Sequence, residues 1–104
     1  MIDEITLPPA KSVLQTQPRF KTAPNVVACD VETGLALLDV ETATYFALNK
    51  VGAAVWALLS EPRTLDQLVA GVTEAYDVEP ERCRADVAAL LHMLENAKLI
   101  QSAD

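Results

Sequence analysis

The residues able to carry covalent chemistry are few, and their spacing keeps them apart. His92 is the only histidine, and Cys29 and Cys83 are the only cysteines. His92 follows Cys83 by nine positions, which on a helix at 100° per residue sets the two side chains on opposite faces, so one helix cannot offer both to a metal. The cysteines form no CxxC pair and have 53 residues between them, so neither a zinc motif nor a disulfide framework is readable. Cys29 falls in a strand-like run and Cys83 on an apolar helical stripe, and both read as packing residues. Arg82 and Arg84 flank Cys83 in a way that lowers a thiol pKa, but the buried stripe opposes access. Gly34, Gly52 and Gly71 stand singly, so no glycine-rich loop cradles a phosphate. With no nucleophile and base, no paired carboxylates and no ligand cluster, the expectation is a protein that is not an enzyme and uses no metal and no cofactor. Arg82 and Asp86 remain, four apart on one helical flank beside Ala89 and Met93. They fit either an intrahelical ion pair or a semi-polar strip that contacts a partner.

The elements that position these residues are readable in order. Residues 1–25 hold four of the six prolines, which excludes a regular helix of any length and predicts an extended arm. Within it, Val13-Leu14-Gln15 and Arg19-Phe20 have the composition of a short edge strand. From Asn25 to Leu48, three β-rich runs (Val26–Cys29, Leu35–Leu38, Tyr45–Leu48) alternate with turn formers at 32–34 and 39–42, which predicts a three-stranded antiparallel meander. The period then changes from about two to about 3.6. Asn49 is a good N-cap for a first helix whose apolar face is Val51, Val55, Trp56, Leu58 and Leu59, with Trp56 read as core, and Ser60-Glu61-Pro62 stops it. Thr64 and Gln67 form a capping-box signature ahead of Leu65, Leu68, Val69, Val72 and Tyr76. Pro80 suits a first helical position, and Cys83, Val87, Leu90, Leu91 and Leu94 then mark one narrow stripe ending near Ala97. Residues 101–104 read as a frayed tail. The fold class is α+β, a three-stranded antiparallel sheet followed by three helices, overlapping the winged helix-turn-helix arrangement.

Composition limits the function. The chain has 104 residues, of which 51% are hydrophobic and 22% charged, a globular balance in the size range of one domain. Eight basic against fifteen acidic residues give a net charge of −7, which opposes the counterion-release term behind nucleic-acid affinity. The amino terminus is acidic where a secretory signal is basic, and the longest apolar run, Gly52–Leu59, is far below a membrane span. These features predict a cytoplasmic protein that binds neither nucleic acid nor membrane.

The ordered set Ala36-Leu37-Leu38-Asp39, Thr44-Tyr45-Phe46-Ala47-Leu48-Asn49, Val51-Gly52 and Val55-Trp56-Ala57-Leu58-Leu59 resembles the PqqD-like proteins. Thr64-Leu65-Asp66-Gln67-Leu68, Asp86-Val87, Leu90–Leu94 and Lys98-Leu99-Ile100 continue the likeness, so it spans about residues 26–100. Lys98 departs from the family pattern, where glycine is common. The resemblance implies a non-catalytic recognition element that binds the leader segment of a ribosomally made precursor peptide. The leader would then pass to a modifying enzyme or leader protease of the same pathway. Both cofactor (PQQ) and lasso-peptide pathways are compatible, with the lasso type favoured. It also implies where the peptide lies: along the third strand, at Thr44, Tyr45, Phe46, Ala47 and Leu48, and against the third helix, at Arg82, Asp86, Leu90 and Met93. Alternation sets Tyr45 and Ala47 on one face of the strand and Phe46 and Leu48 on the core face. The alternative function is a winged-helix DNA-binding regulator, but Leu65–Tyr76 carries no Lys or Arg. The arm has three readings: cover for a sheet edge, a segment swapped in a homodimer, or a contact to the partner enzyme.

Overall fold

The three β-rich runs pair in chain order. The computed structural model describes residues 18–103, and the expectation for Val13–Gln15 lies outside the described residues. Strands β1 (Phe20–Thr22), β2 (Val26–Val31), β3 (Gly34–Asp39) and β4 (Thr44–Asn49) precede helices α1 (Lys50–Leu58), α2 (Leu65–Ala75) and α3 (Pro80–Asn96), and β5 (Ile100–Ser102) closes the order. Strands β2, β3 and β4 form an antiparallel sheet in that spatial order. Each runs one or two residues beyond its apolar run, because the ladder pairs continue up to the turns, ending at Val31 with Gly34 and at Asp39 with Thr44.

Alternation divides the sheet into two faces. Leu35, Leu37 and Leu48 are buried against the helices, and Phe46 packs on the same core. The opposite face carries Val27, Cys29, Val31 and Tyr45, all exposed. Cys29 is therefore not the packing residue its strand suggested, because its register partner is Ala36, whose own partner is Ala47, and all three face outward.

The helices start where the capping residues direct. The Gly52 N–H donates to Asn49 Oδ1 at 2.9 Å and fixes the start of α1 directly after β4. At α2 the Gln67 N–H donates to Thr64 Oγ1 at 3.2 Å while the Thr64 N–H donates to Gln67 Oε1 at 2.9 Å, a complete capping box. Tyr76 is an extended C-cap and not the last turn of α2. Val55, Leu68, Val72, Val87 and Leu94 from the three helices and Leu59 at the C-cap of α1 meet Leu37 in a core where each is at most 1% exposed. Each such side chain contributes about 1.5–3 kcal/mol of burial.

Helix α3 ends in a Schellman motif. The Leu99 N–H donates to the Leu94 carbonyl at 2.9 Å and the Lys98 N–H to the Glu95 carbonyl at 3.0 Å, while Leu94 and Leu99 are both fully buried beside each other in the core cluster. The motif requires a left-handed residue, and Lys98 supplies it at φ 63°. An L side chain there costs roughly 1–2 kcal/mol. Lys98→Gly is therefore expected to stabilise the protein by about 1 kcal/mol, raising Tm by about 4–8 °C in a thermal melt. An unchanged Tm would show that the turn carries no strain.

Two short segments outside the expected domain are ordered into it. Phe20–Thr22, in the arm where Arg19-Phe20 suggested a short edge strand, pairs antiparallel with Ile100–Ser102, which runs two residues into the expected frayed tail at 101–104. The Ala23 N–H donates to the Leu99 carbonyl at 2.9 Å, and Phe20 exchanges backbone hydrogen bonds with Arg63 at 2.8 and 3.1 Å. Burial of Leu99 and Ile100 holds the chain where pairing can continue, which is why the end does not fray.

Asp39 is the one buried carboxylate among the described residues. It holds the β3–β4 connection by accepting from Asn25 Nδ2 at 2.9 Å and from the N–H groups of Glu41 at 2.9 Å and Thr42 at 3.4 Å. The Asn25 amide, opposed by burial and aided by the two backbone donors, keeps its pKa below the ordinary carboxylate value. A depressed folded pKa stabilises the fold above the unfolded pKa, and that contribution is lost as pH falls through the folded value. Asp39→Asn is thus expected to lower Tm at about pH 7, with the difference shrinking in melts at successively lower pH values as Asp39 is protonated through its lowered folded pKa. A constant Tm difference across melts at these pH values would contradict this.

Candidate functional site

Strand β4 is an edge. Among the described residues its only ladder partner is β3, so one row of its N–H and C=O groups faces away from the sheet, a template for an added strand. The edge has no proline and no Lys before Lys50, and its six-residue ladder to β3 runs without a bulge. Among the described residues, neither a proline, a bulge nor a charged side chain within Thr44–Asn49 blunts the edge.

Beside the second half of β4 lies a groove of about 650 Å3. Ala47, Leu48 and Asn49 form one wall, Val51 and Gly52 at the start of α1 continue it, and α3 forms the other with Arg82, Asp86, Leu90 and Met93. Cys83, Val87 and Val72 make the floor, and all three are buried. The direct passage from β4 into α1, set by the Asn49 cap, brings the strand end and the helix start to the same side.

Six of the nine residues expected to touch a peptide meet in this groove: Ala47, Leu48, Arg82, Asp86, Leu90 and Met93. Thr44, Tyr45 and Phe46 lie farther back along β4, outside the groove walls. Thr44 is exposed, Tyr45 is 74% exposed on the outer face, and Phe46 is half-buried on the core. Leu90 was placed with the buried stripe, and it is only half-buried because it tops the wall of the groove. Trp56 is half-buried against the core.

Several groove residues escaped the sequence reading. Glu79 has the chemistry of a carboxylate suited to the start of α3, Val51 and Val72 read as apolar repeats of α1 and α2, and Val78 carries no local signal of a site. The approach of Val51 and Val72 to α3 depends on the crossing of three helices, which local periodicity does not contain. Arg82 and Asp86 do not form an ion pair with each other: the described ion pairs are Arg63 with Glu61 and Arg84 with Asp66, the latter joining α3 to α2 on the surface. Burial, and behind it the negative charge of Asp86, pushes the Cys83 thiol above its ordinary pKa. The flanking arginines therefore do not activate it, and it is a neutral part of an apolar floor. His92 is exposed, and no group of three metal-ligating side chains occurs among the described residues. No helix among the described residues is long and apolar enough to cross a membrane.

Residues 34–100 match the family described as coenzyme PQQ synthesis protein D (PqqD). The fold is similar to that of TbiB1, solved in complex with the TbiA(beta) leader peptide, at 28% identity over 81% of this chain and 98% of that one, with a TM-score of 0.70. It is also similar to a lasso peptide synthetase B1 complexed with the leader peptide, at 24% identity over 79% of this chain and 96% of that one, with a TM-score of 0.68. No curated protein sequence matches significantly.

Proposed function

Because the chain belongs to the PqqD family, we propose that it is a recognition element that binds the leader segment of a ribosomally made precursor peptide and presents it to the enzyme acting on that peptide. The observation that carries this is the open edge of β4 running into a groove walled by α3. An extended peptide laid on that edge gains backbone hydrogen bonds regardless of its sequence, and the side chains on alternate positions enter the groove and give selectivity. Thr44, Tyr45 and Phe46 contribute through their main chain, with Ala47 and Leu48 continuing the edge into the groove. Arg82, Asp86, Leu90 and Met93 meet the peptide's side chains. The domain needs no catalytic group for this role: the binding free energy raises the local concentration of the precursor at the processing enzyme. The likeness to TbiB1 in complex with the TbiA(beta) leader peptide and to a lasso peptide synthetase B1 complexed with the leader peptide supports a lasso-type pathway, with a leader protease or modifying enzyme as the second partner.

The test is fluorescence anisotropy with labelled leader peptides encoded by short reading frames beside the gene, titrated against scrambled versions and a duplex DNA pool. Saturable binding of one leader, lost on scrambling, is the expected result. Methylating the backbone nitrogens of that leader at every second position should abolish binding in one of the two alternating sets and spare it in the other, the pattern of a strand added at an edge. Binding to DNA alone, or indifference to both methylation sets, would overturn the proposal.

A further inference from the structure

The α3 wall of the groove is divided along its length. Glu79, Arg82 and Asp86 line its N-terminal half, and Leu90 and Met93 its C-terminal half. Glu79, Arg82 and Asp86 are exposed and enter neither of the described ion pairs. Two carboxylates around one guanidinium leave that half negative, in a chain whose net charge is already −7. The Asp86 charge reaches the groove floor, since it contributes to raising the Cys83 thiol. An acidic segment would meet repulsion both at long range and at the wall, and a basic one attraction at both.

Helix and strand geometry convert this division into a spacing. From Asp86 to Leu90 is four residues, about 6 Å of helix rise. On an extended segment, side chains two positions apart lie on one face and about 6.6 Å from each other. Resting on the proposed leader docking, we infer that the groove selects an extended peptide with a Lys or Arg two positions from a large apolar side chain on the same face, the cation at Asp86, with Glu79 adding to the negative field, and the apolar group on Leu90 and Met93. Asp86 is the residue that sets the charge preference. Arg82, with five donors in a fixed fork, satisfies carbonyl oxygens of the same segment.

The experiment is selection of a randomised dodecapeptide library on the immobilised full chain, on its Asp86→Lys variant and on bare matrix. The wild type should enrich Lys or Arg two positions from Leu or an aromatic residue. Asp86→Lys should enrich Asp or Glu at that position and keep the apolar one. The best wild-type peptide should lose roughly tenfold in affinity on Lys→Glu exchange, and regain it on Asp86→Lys, with the gap closing as salt rises. Asp86→Asn, an isosteric variant, should bind both peptides alike. Enriched peptides without a charged residue at that spacing, or the same charge preference in Asp86→Lys, would overturn this inference while leaving leader docking intact. No enrichment over matrix would overturn both.

Discussion

Leu90→Asp is expected to weaken leader binding about a hundredfold or more, a loss of about 2.7 kcal/mol. Leu90 stands midway along the α3 wall, half-buried, between the charged half of the groove and Met93. An apolar side chain docked there is desolvated on binding, and a carboxylate in its place must either keep its water and hold the peptide off or lose it without a partner. Because Leu90 also packs on the core, the variant will lose some stability. Met93→Asp separates the two effects, since Met93 is 40% exposed and its replacement should cost about tenfold in affinity with little change in melting. Anisotropy titrations of the cognate leader, with circular dichroism melts of both proteins, read the two quantities. Full affinity in both folded variants would place the leader somewhere other than this groove.

The elements were legible because their signals are local. Asn49, Thr64 with Gln67, and Pro80 each act within one helical turn of their own position, and all three helices start where those residues indicate. The sheet order followed from turns too short for any crossover, so the edge position of β4 was legible too. The groove was readable by half. Arg82, Asp86, Leu90 and Met93 share a flank of one helix, which spacing alone shows, whereas Val51 and Val72 reach the site only through helix crossing. Along β4 the site narrows to Ala47–Asn49, because α3 faces only that end of the strand, and nothing within the strand's own sequence marks the limit. The partner of each chain-end strand was not legible for a related reason. Phe20–Thr22 and Ile100–Ser102 are polar in part and short, and each is held by its pairing with the other, a contact across almost the whole described chain. Lys98 departs from a family glycine, and its left-handed φ shows what that glycine is for.

The second large effect is on Gly34, where the sheet and the site meet. Gly34 opens β3 opposite Asn49, the residue that ends β4 and caps α1. Its φ is +156°, and a Cβ there would overlap the Leu48 carbonyl oxygen and stand 2.7 Å from the Asn49 carbonyl carbon and 2.9 Å from its Cα. These are backbone atoms of the neighbouring strand, so no rotamer change relieves the clash, and the strand end must move. Gly34→Ala is expected to cost about 3 kcal/mol or more, a fall in Tm of about 12 °C or more. Gly71→Ala provides the contrast. Its Cβ would meet Leu58 Cδ1 at 2.6 Å, the far end of a side chain that can turn away, and alanine gains up to about 1 kcal/mol in helix propensity, so its Tm should stay near wild type. The displaced atoms in Gly34→Ala are those of Leu48 and Asn49, which wall the groove. Leader affinity measured well below the variant's Tm should therefore fall as well, while Gly71→Ala binds normally. A Gly34→Ala protein that melts with wild type and binds leader fully would show that the β3–β4 ladder can open at Asn49 without disturbing the α1 cap, and the coupling between hairpin and groove argued from this geometry would be wrong.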